Sequence, residues 1–187
     1  MRLRNPGLYQ VAVALKELRD LVYCLAQETP DPHRINRAKK RLQDMLLKTG
    51  NGNSQLKPSR LIRDIEQILA LVEKGFSDIR SHKLARTPET VWFFAVYISL
   101  LDNLGEAITG SSSKRCEAAA RGGKLISAGR KQLSLFKTGH LNEADDFLVN
   151  LQLVTLYNDF DKWLYEAEKL SEDLVSARNK PLRRTEQ

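Results

Sequence analysis

Residues 87–104 read TPETVWFFAVYISLLDNL, and the reading of this stretch decides the fold. Thr87-Pro88-Glu89 opens a helix: a hydroxyl acceptor precedes a proline whose missing N–H costs nothing at the first helical position. From Val91 to Leu101 only Ser99 is polar, and Asp102 and Asn103 follow directly. A helix built on this pattern is apolar on nearly every side, so it belongs in the middle of a bundle. The apolar run itself is too short to span a bilayer and fits a buried core helix. Ser99, Asp102 and Glu106 recur at three- and four-residue spacing, giving one polar strip expected to reach solvent or a facing arginine.

Helical signals continue on both sides. Asn5-Pro6 starts a first helix whose Leu8, Val11, Leu15, Leu18, Val22 and Leu25 form a packing seam ending before Thr29-Pro30. Asp31-Pro32 starts a second, with Ile35, Ala38, Leu42 and Met45 as its seam and Gly50-Asn51-Gly52 as its end. Ser59 is expected to cap a third, packed through Leu61, Ile65, Ile68, Leu69, Val72, Phe76 and Ile79. A fifth is expected over 113–137, burying Ala118, Leu125, Ile126, Leu133 and Phe136. Asn142 is expected to cap a sixth, which runs to about residue 176 with a kink near Asn158-Asp159. No strand-like alternation or internal repeat interrupts this pattern. The expected fold is all-α: one six-helix bundle over residues 1–178 with a central apolar helix near 88–109, a long acidic C-terminal helix, and a basic, disordered tail over 179–187.

Charge is sorted by segment. The chain has 187 residues and a formal net charge of +7. Between Lys114 and Thr138 seven basic residues face one acid, whereas Gly139 to Val175 holds nine acids and two lysines. Solubilising charge placed at random would average out, so this sorting points to binding surfaces. A basic balance favours nucleic acid, an anionic membrane or an acidic partner. Interfacial membrane attachment is disfavoured because no exposed apolar wedge adjoins the basic helices. Cys24 and Cys116 lack C-x-x-C spacing and read as buried small hydrophobes in a reducing compartment. Glu17 and Asp20 break any secretory apolar core near the start. The expected location is the cytoplasm.

Enzymatic readings find little support. His33, His82 and His140 stand in or beside turns, and no E-x-x-H, H-E-x-x-H or paired-cysteine spacing is present to hold a metal. Gly122-Gly123-Lys124 lacks the other elements of a P-loop. Gly110 to Arg115 could place an anion at a helix N-terminus but reads more simply as a capped linker. Asp145-Asp146 diverge by about 100° on a helix and form no dyad. The expectation is a chain with no catalytic residues, cofactor, metal or small-molecule substrate.

Two basic rows carry the functional expectation. Arg34, Arg37, Arg41 and Lys48 fall within about 60° of helical arc, flanked by Lys40 and interrupted by Asp44. Lys114, Arg121, Lys124 and Lys131 fall within about 100°, with Arg115 nearby. Small residues around them (Ala118, Ala119, Ala120, Gly122, Gly123, Gly129) would let a phosphate approach the backbone. Such rows suit a DNA or RNA backbone, since each contact is charge-assisted and releases counterions. Aromatic residues do not interleave with the cations, so binding is expected to be blind to sequence. The acids Asp145, Asp146 and Glu166 are expected to meet a basic helix, either of this chain, of another copy, or of another subunit. In size, basic charge and all-helical character the chain is similar to the small helical subunits of multi-protein CRISPR effector complexes. That architectural likeness implies phosphate contacts within a larger assembly and transfers no individual residue. A helical protein-interaction or self-assembly module, using complementary basic and acidic helices, is the alternative.

Overall fold

The structure is a computed structural model that describes residues 6–27, 31–50, 58–81, 87–142 and 147–179. Six helices follow in order: α1 (Pro6–Leu25), α2 (Pro32–Gly50), α3 (Pro58–Ser81), α4 (Pro88–Thr109), α5 (Ser112–Asn142) and α6 (Phe147–Asn179). No strand occurs among the described residues.

Local chemistry sets the helix ends. Thr87 is extended at φ −78°, ψ 156°, and its Oγ1 accepts from the Thr90 N–H at 3.3 Å, one of the donors a helix leaves unsatisfied. Glu89 complements the positive end of the helix dipole. At the other end the Gly110 N–H donates to the Glu106 carbonyl at 2.8 Å. A Cβ at Gly110 would lie 2.8 Å from that same oxygen, so the tight passage from α4 into α5 requires glycine. Asp31 opens α2, its carboxylate accepting from the His33 N–H at 2.9 Å.

Helices α1, α3, α4 and α6 form a four-helix ring in which α1 packs on α4 and α3 on α6, with α1 against α3 and α4 against α6 closing it. Helix α2 caps the α1–α3 edge and α5 caps the opposite α4–α6 edge. The described residues form two three-helix halves joined through α1–α4 and α3–α6, with α2 and α5 on opposite outer sides and without contact among the described residues. Short connections between consecutive helices favour such neighbour packing.

The expected seams are where the core lies. Val11, Leu15, Leu18, Val22 and Leu25 of α1 are buried, as are Leu61, Ile65, Ile68, Leu69, Val72 and Phe76 of α3. Helix α4 touches α1, α5 and α6. Among the described residues it is the one helix long and apolar enough to cross a membrane by length and composition only, a test that a buried core helix also passes. Here its Phe93, Phe94, Tyr97, Leu100, Leu101, Leu104 and Ile108 are spent on the bundle core.

An aromatic hub joins the halves. Phe93 and Phe160 stack at 3.9 Å, and Trp163 stands 5.2 Å from Phe160 and 5.3 Å from Tyr97. Phe76 stacks on Phe94 at 5.1 Å. Tyr97 Oη and Trp163 Nε1 lie buried without hydrogen-bond partners. Burial drives the Tyr97 phenol far above its ordinary pKa, so it stays neutral.

Several boundaries and burials differ from expectation. Helix α3 begins at Pro58, placing Ser59 inside it, and α5 runs on to Asn142, the residue expected to cap α6. Helix α6 runs uninterrupted through Asn158-Asp159. Cys24 is half-buried and Cys116 exposed, both free, so neither is the buried hydrophobe expected. The tail over 180–187 lies outside the described residues.

Candidate nucleic-acid interface

On α2, Ala38 and Leu42 are buried, with Ile35 and Met45 packed beside them against the core. That seam turns the opposite face outward. Arg34, Arg37, Lys40 and Arg41 are all exposed, and none has a hydrogen-bond or ion-pair partner among the described residues. Seven residues of rise spread them over about 10 Å, the length of roughly three phosphates along one strand. Asp44 is exposed within the row, and the Lys48 side chain lies outside the described ones. Lys39, on the inner flank, is spent on Glu73 at 2.8 Å.

The α5 row is thinner than expected. Lys114, Lys124 and Lys131 are exposed and unpaired among the described residues. Arg121 is not free: it donates to Glu106 at 2.6 Å and to Asn103 at 2.9 Å, and stands 4.0 Å from Glu117. Glu106 is thus the acid of the α4 strip that meets a facing arginine, and Asp102 meets Arg19 at 3.2 Å. Arg115 is half-buried, with its Nε shielded and unpartnered. Three ammonium groups therefore span about 26 Å on this side. The small residues serve packing as much as access. Ala118 is fully buried, and Cβ atoms at Gly129 and Gly122 would meet Leu164 at 2.9 Å and Leu100 at 3.6 Å. Only Gly123 and Gly139 open onto free space on this helix. At the first turn of α5, Ser113 donates to Glu117 at 2.7 Å, which places an acid where an anion would otherwise sit.

Helix α6 spends five of its described acids, Asp159, Asp161, Glu166, Glu168 and Asp173, on ion pairs within the bundle, while Glu172 is exposed. Toward α5, Arg130 pairs with Glu168 at 2.8 Å and Asp161 at 3.7 Å, and Lys137 lies 3.8 Å from Asp161. Toward α3, Arg60 meets Asp173 at 2.6 Å and Lys74 meets Asp159 at 2.6 Å. Lys162 adds a second bond to Asp159 at 2.7 Å. Burial pushes the Asp159 carboxyl up, but the hydrogen bonds and charges of Lys162 and Lys74 outweigh it, leaving a net shift below the ordinary value. Lys169 bonds Asp64 at 3.0 Å and Glu166 at 3.3 Å, and these bonds, led by that to Asp64, raise its pKa. Glu166 is therefore a mostly buried member of an α3–α6 network, not an outward partner-binding acid. Asp145 and Asp146 lie outside the described residues. The terminal helix neutralises Arg130 and Lys137 but none of the outward cations of α2.

Residue types alone did not signal one feature. A cleft of about 540 Å³ opens between α1, α2 and α3, lined by Leu21, Leu25, Ile35, Asn36, Lys39, Glu73, Phe76 and Ser77. Its residues come from three separate segments, and only the packing of α2 across the α1–α3 edge assembles them. No group of three or more metal-ligating side chains occurs among the described residues. Compared with family models, curated proteins and solved structures, the chain matches none.

Proposed function

We propose that this protein is a non-enzymatic helical subunit that grips a nucleic-acid backbone through α2, as part of a larger ribonucleoprotein or effector assembly. The observation that carries this reading is the row Arg34, Arg37, Lys40 and Arg41, exposed and without carboxylate partners among the described residues. Nine other cations, Arg19, Lys39, Arg60, Lys74, Arg121, Arg130, Lys137, Lys162 and Lys169, have acidic partners, while Lys16, Arg63, Lys114, Lys124 and Lys131 are exposed without one among the described residues. A row kept free of compensation is costly in self-repulsion and suits a polyanion. Lys114, Lys124 and Lys131 offer a second, sparser surface on the opposite side, where another segment of nucleic acid or an acidic neighbour would bind. Phe147, Leu148 and Leu151, 73%, 68% and 47% exposed at the start of α6, favour a protein neighbour at that end.

The test is fluorescence anisotropy with a labelled single-stranded oligonucleotide of about 20 nucleotides over a salt series. Three to four phosphate contacts give a log–log salt slope of about −2 to −3 for a single strand. Replacing Arg34, Arg37 and Arg41 with glutamate weakens every sequence alike and brings the slope toward zero. Absence of binding at ~50 mM salt, or a slope unchanged in the triple variant, refutes the proposal.

A further inference from the structure

The outward face of α6 carries almost no charge. From Phe147 to Leu170 eight residues of this helix are exposed, and Lys162 is the only charged one among them. Its ammonium is already met by Asp159 at 2.7 Å. Six of the eight, Leu148, Leu151, Thr155, Asn158, Lys162 and Tyr165, recur at 3-4-3-4-3 spacing, the repeat of a helix-pairing seam. Helix α6 thus has a second seam on the face turned away from the core. Aromatic and aliphatic side chains with charge depleted are the composition of an interface core, whereas the outward face of α2 is a row of cations.

This seam complements itself. Leu151, Asn158 and Tyr165 stand seven residues apart, within about 40° of arc and about 21 Å of length. Two α6 helices run antiparallel about a two-fold axis at Asn158 set each Leu151 against Tyr165 of the other copy, and each Thr155 against Lys162. A parallel pair would instead set Lys162 against its own twin. The Thr155 hydroxyl is satisfied within its helix, donating to the Leu151 carbonyl at 2.8 Å. An amide both donates and accepts, so two Asn158 side chains facing across the axis satisfy each other and fix the register. Phe147, Leu148, Leu151 and Tyr165 offer on the order of 500 Å² per copy, so a pair buries roughly 1,000 Å², the lower bound of a specific interface. Helix α6 touches α3, α4 and α5 but neither α1 nor α2 among the described residues, so this pairing leaves the α2 row free.

We infer that the protein forms a two-fold homodimer through antiparallel pairing of the outward faces of α6, centred on Asn158. The second copy is the protein neighbour that the exposed start of α6 favours, and the pairing stands whether or not α2 binds nucleic acid. An interface this small and this poor in charge gives a micromolar dimer that survives high salt.

Sedimentation velocity of the full chain over about 1–200 µM, at low salt and at ~500 mM, reads the equilibrium: the sedimentation coefficient rises with concentration at both. Leu151→Glu and Tyr165→Glu are each monomeric throughout, with circular dichroism verifying their folds. Leu135→Glu, at an equally exposed position on α5, dimerises like the parent. Asn158→Cys, in a chain that also carries Cys24→Ser and Cys116→Ser, forms an intermolecular disulfide on mild oxidation, because the axis passes between the two side chains. A parent that stays monomeric at ~200 µM overturns the pairing and gives the face to a different protein. A dimer that survives Leu151→Glu, or failure of Asn158→Cys to cross-link, overturns it as well. Oligonucleotide anisotropy on monomeric Leu151→Glu reads the α2 row separately, so either conclusion falls without the other.

Discussion

Alanine at Gly75 would place a methyl group 2.7 Å from Trp163 Cζ2 and 3.5 Å from Cε2. The indole is fully buried and cannot yield easily: Phe93, Tyr97, Phe160 and Phe76 hold it at 5.7, 5.3, 5.2 and 6.1 Å between ring centroids. Alanine inside a helix gains about 1 kcal/mol over glycine. Overpacking a core costs about 1–3 kcal/mol, so the net effect runs from neutral to a loss of about 2. Gly123 is the control, because it is also in a helix interior but its Cβ would meet nothing within 4 Å. Gly123→Ala therefore gains about 0.5–1 kcal/mol. The two variants should differ by about 1–3 kcal/mol, or roughly 2–10 °C in Tm at this chain length. Urea unfolding followed by far-ultraviolet circular dichroism and tryptophan fluorescence measures the difference. Equal stability of the two variants would refute the view that α3 approaches α6 closely at a rigid aromatic hub.

Asp159, 4% exposed in its side chain and bonded to Lys74 and Lys162, titrates below the ordinary carboxylate range in the folded state. Its contribution is complete above the unfolded value near 4 and is lost as pH falls through the lower folded value. Asp159→Asn should cost about 1–3 kcal/mol at neutral pH and show a shallower acid limb in urea melts between about pH 5 and 2. An acid limb identical to the parent's contradicts the assignment. On the binding side, Lys40→Gln should flatten the single-strand salt slope by about 0.7, one phosphate contact. Glu106→Gln, which frees Arg121 on the opposite side of the bundle, should leave affinity for a short oligonucleotide within twofold. A larger tightening from Glu106→Gln than loosening from Lys40→Gln would move the principal site from α2 to α5.

Local signals made much of this fold legible. The seam Val11, Leu15, Leu18, Val22 and Leu25 could be read because one buried face per helix imposes a repeat of three and four residues. The start of α4 was legible because a hydroxyl before proline satisfies the free amides of a first turn. Helix ends without such a signal were less so: α5 continues past Lys137 through Thr138 and Gly139, which neither cap nor break it. The candidate site was legible in part. Outward placement of Arg34, Arg37 and Arg41 follows from the α2 seam, since cations opposite a buried stripe must face water. Whether a cation is compensated does not follow, because its partner is distant in the chain. Arg121 and Glu106 are 15 residues apart, and Lys74 and Asp159 are 85 apart.

The sequence by itself determined the number of helices, the buried stripe of each and the segregation of charge, because these depend on interactions within a few turns of one helix. Tertiary packing alone decided that α2 and α5 lie on opposite sides and that α6 turns Asp159 and Asp173 onto α3 and Asp161 and Glu168 onto the inner flank of α5. It also decided that α1, α2 and α3 enclose a cleft beside the free cations. Ion pairing and cavity shape depend on which helices become neighbours, and that choice is made by burying all six apolar stripes at once.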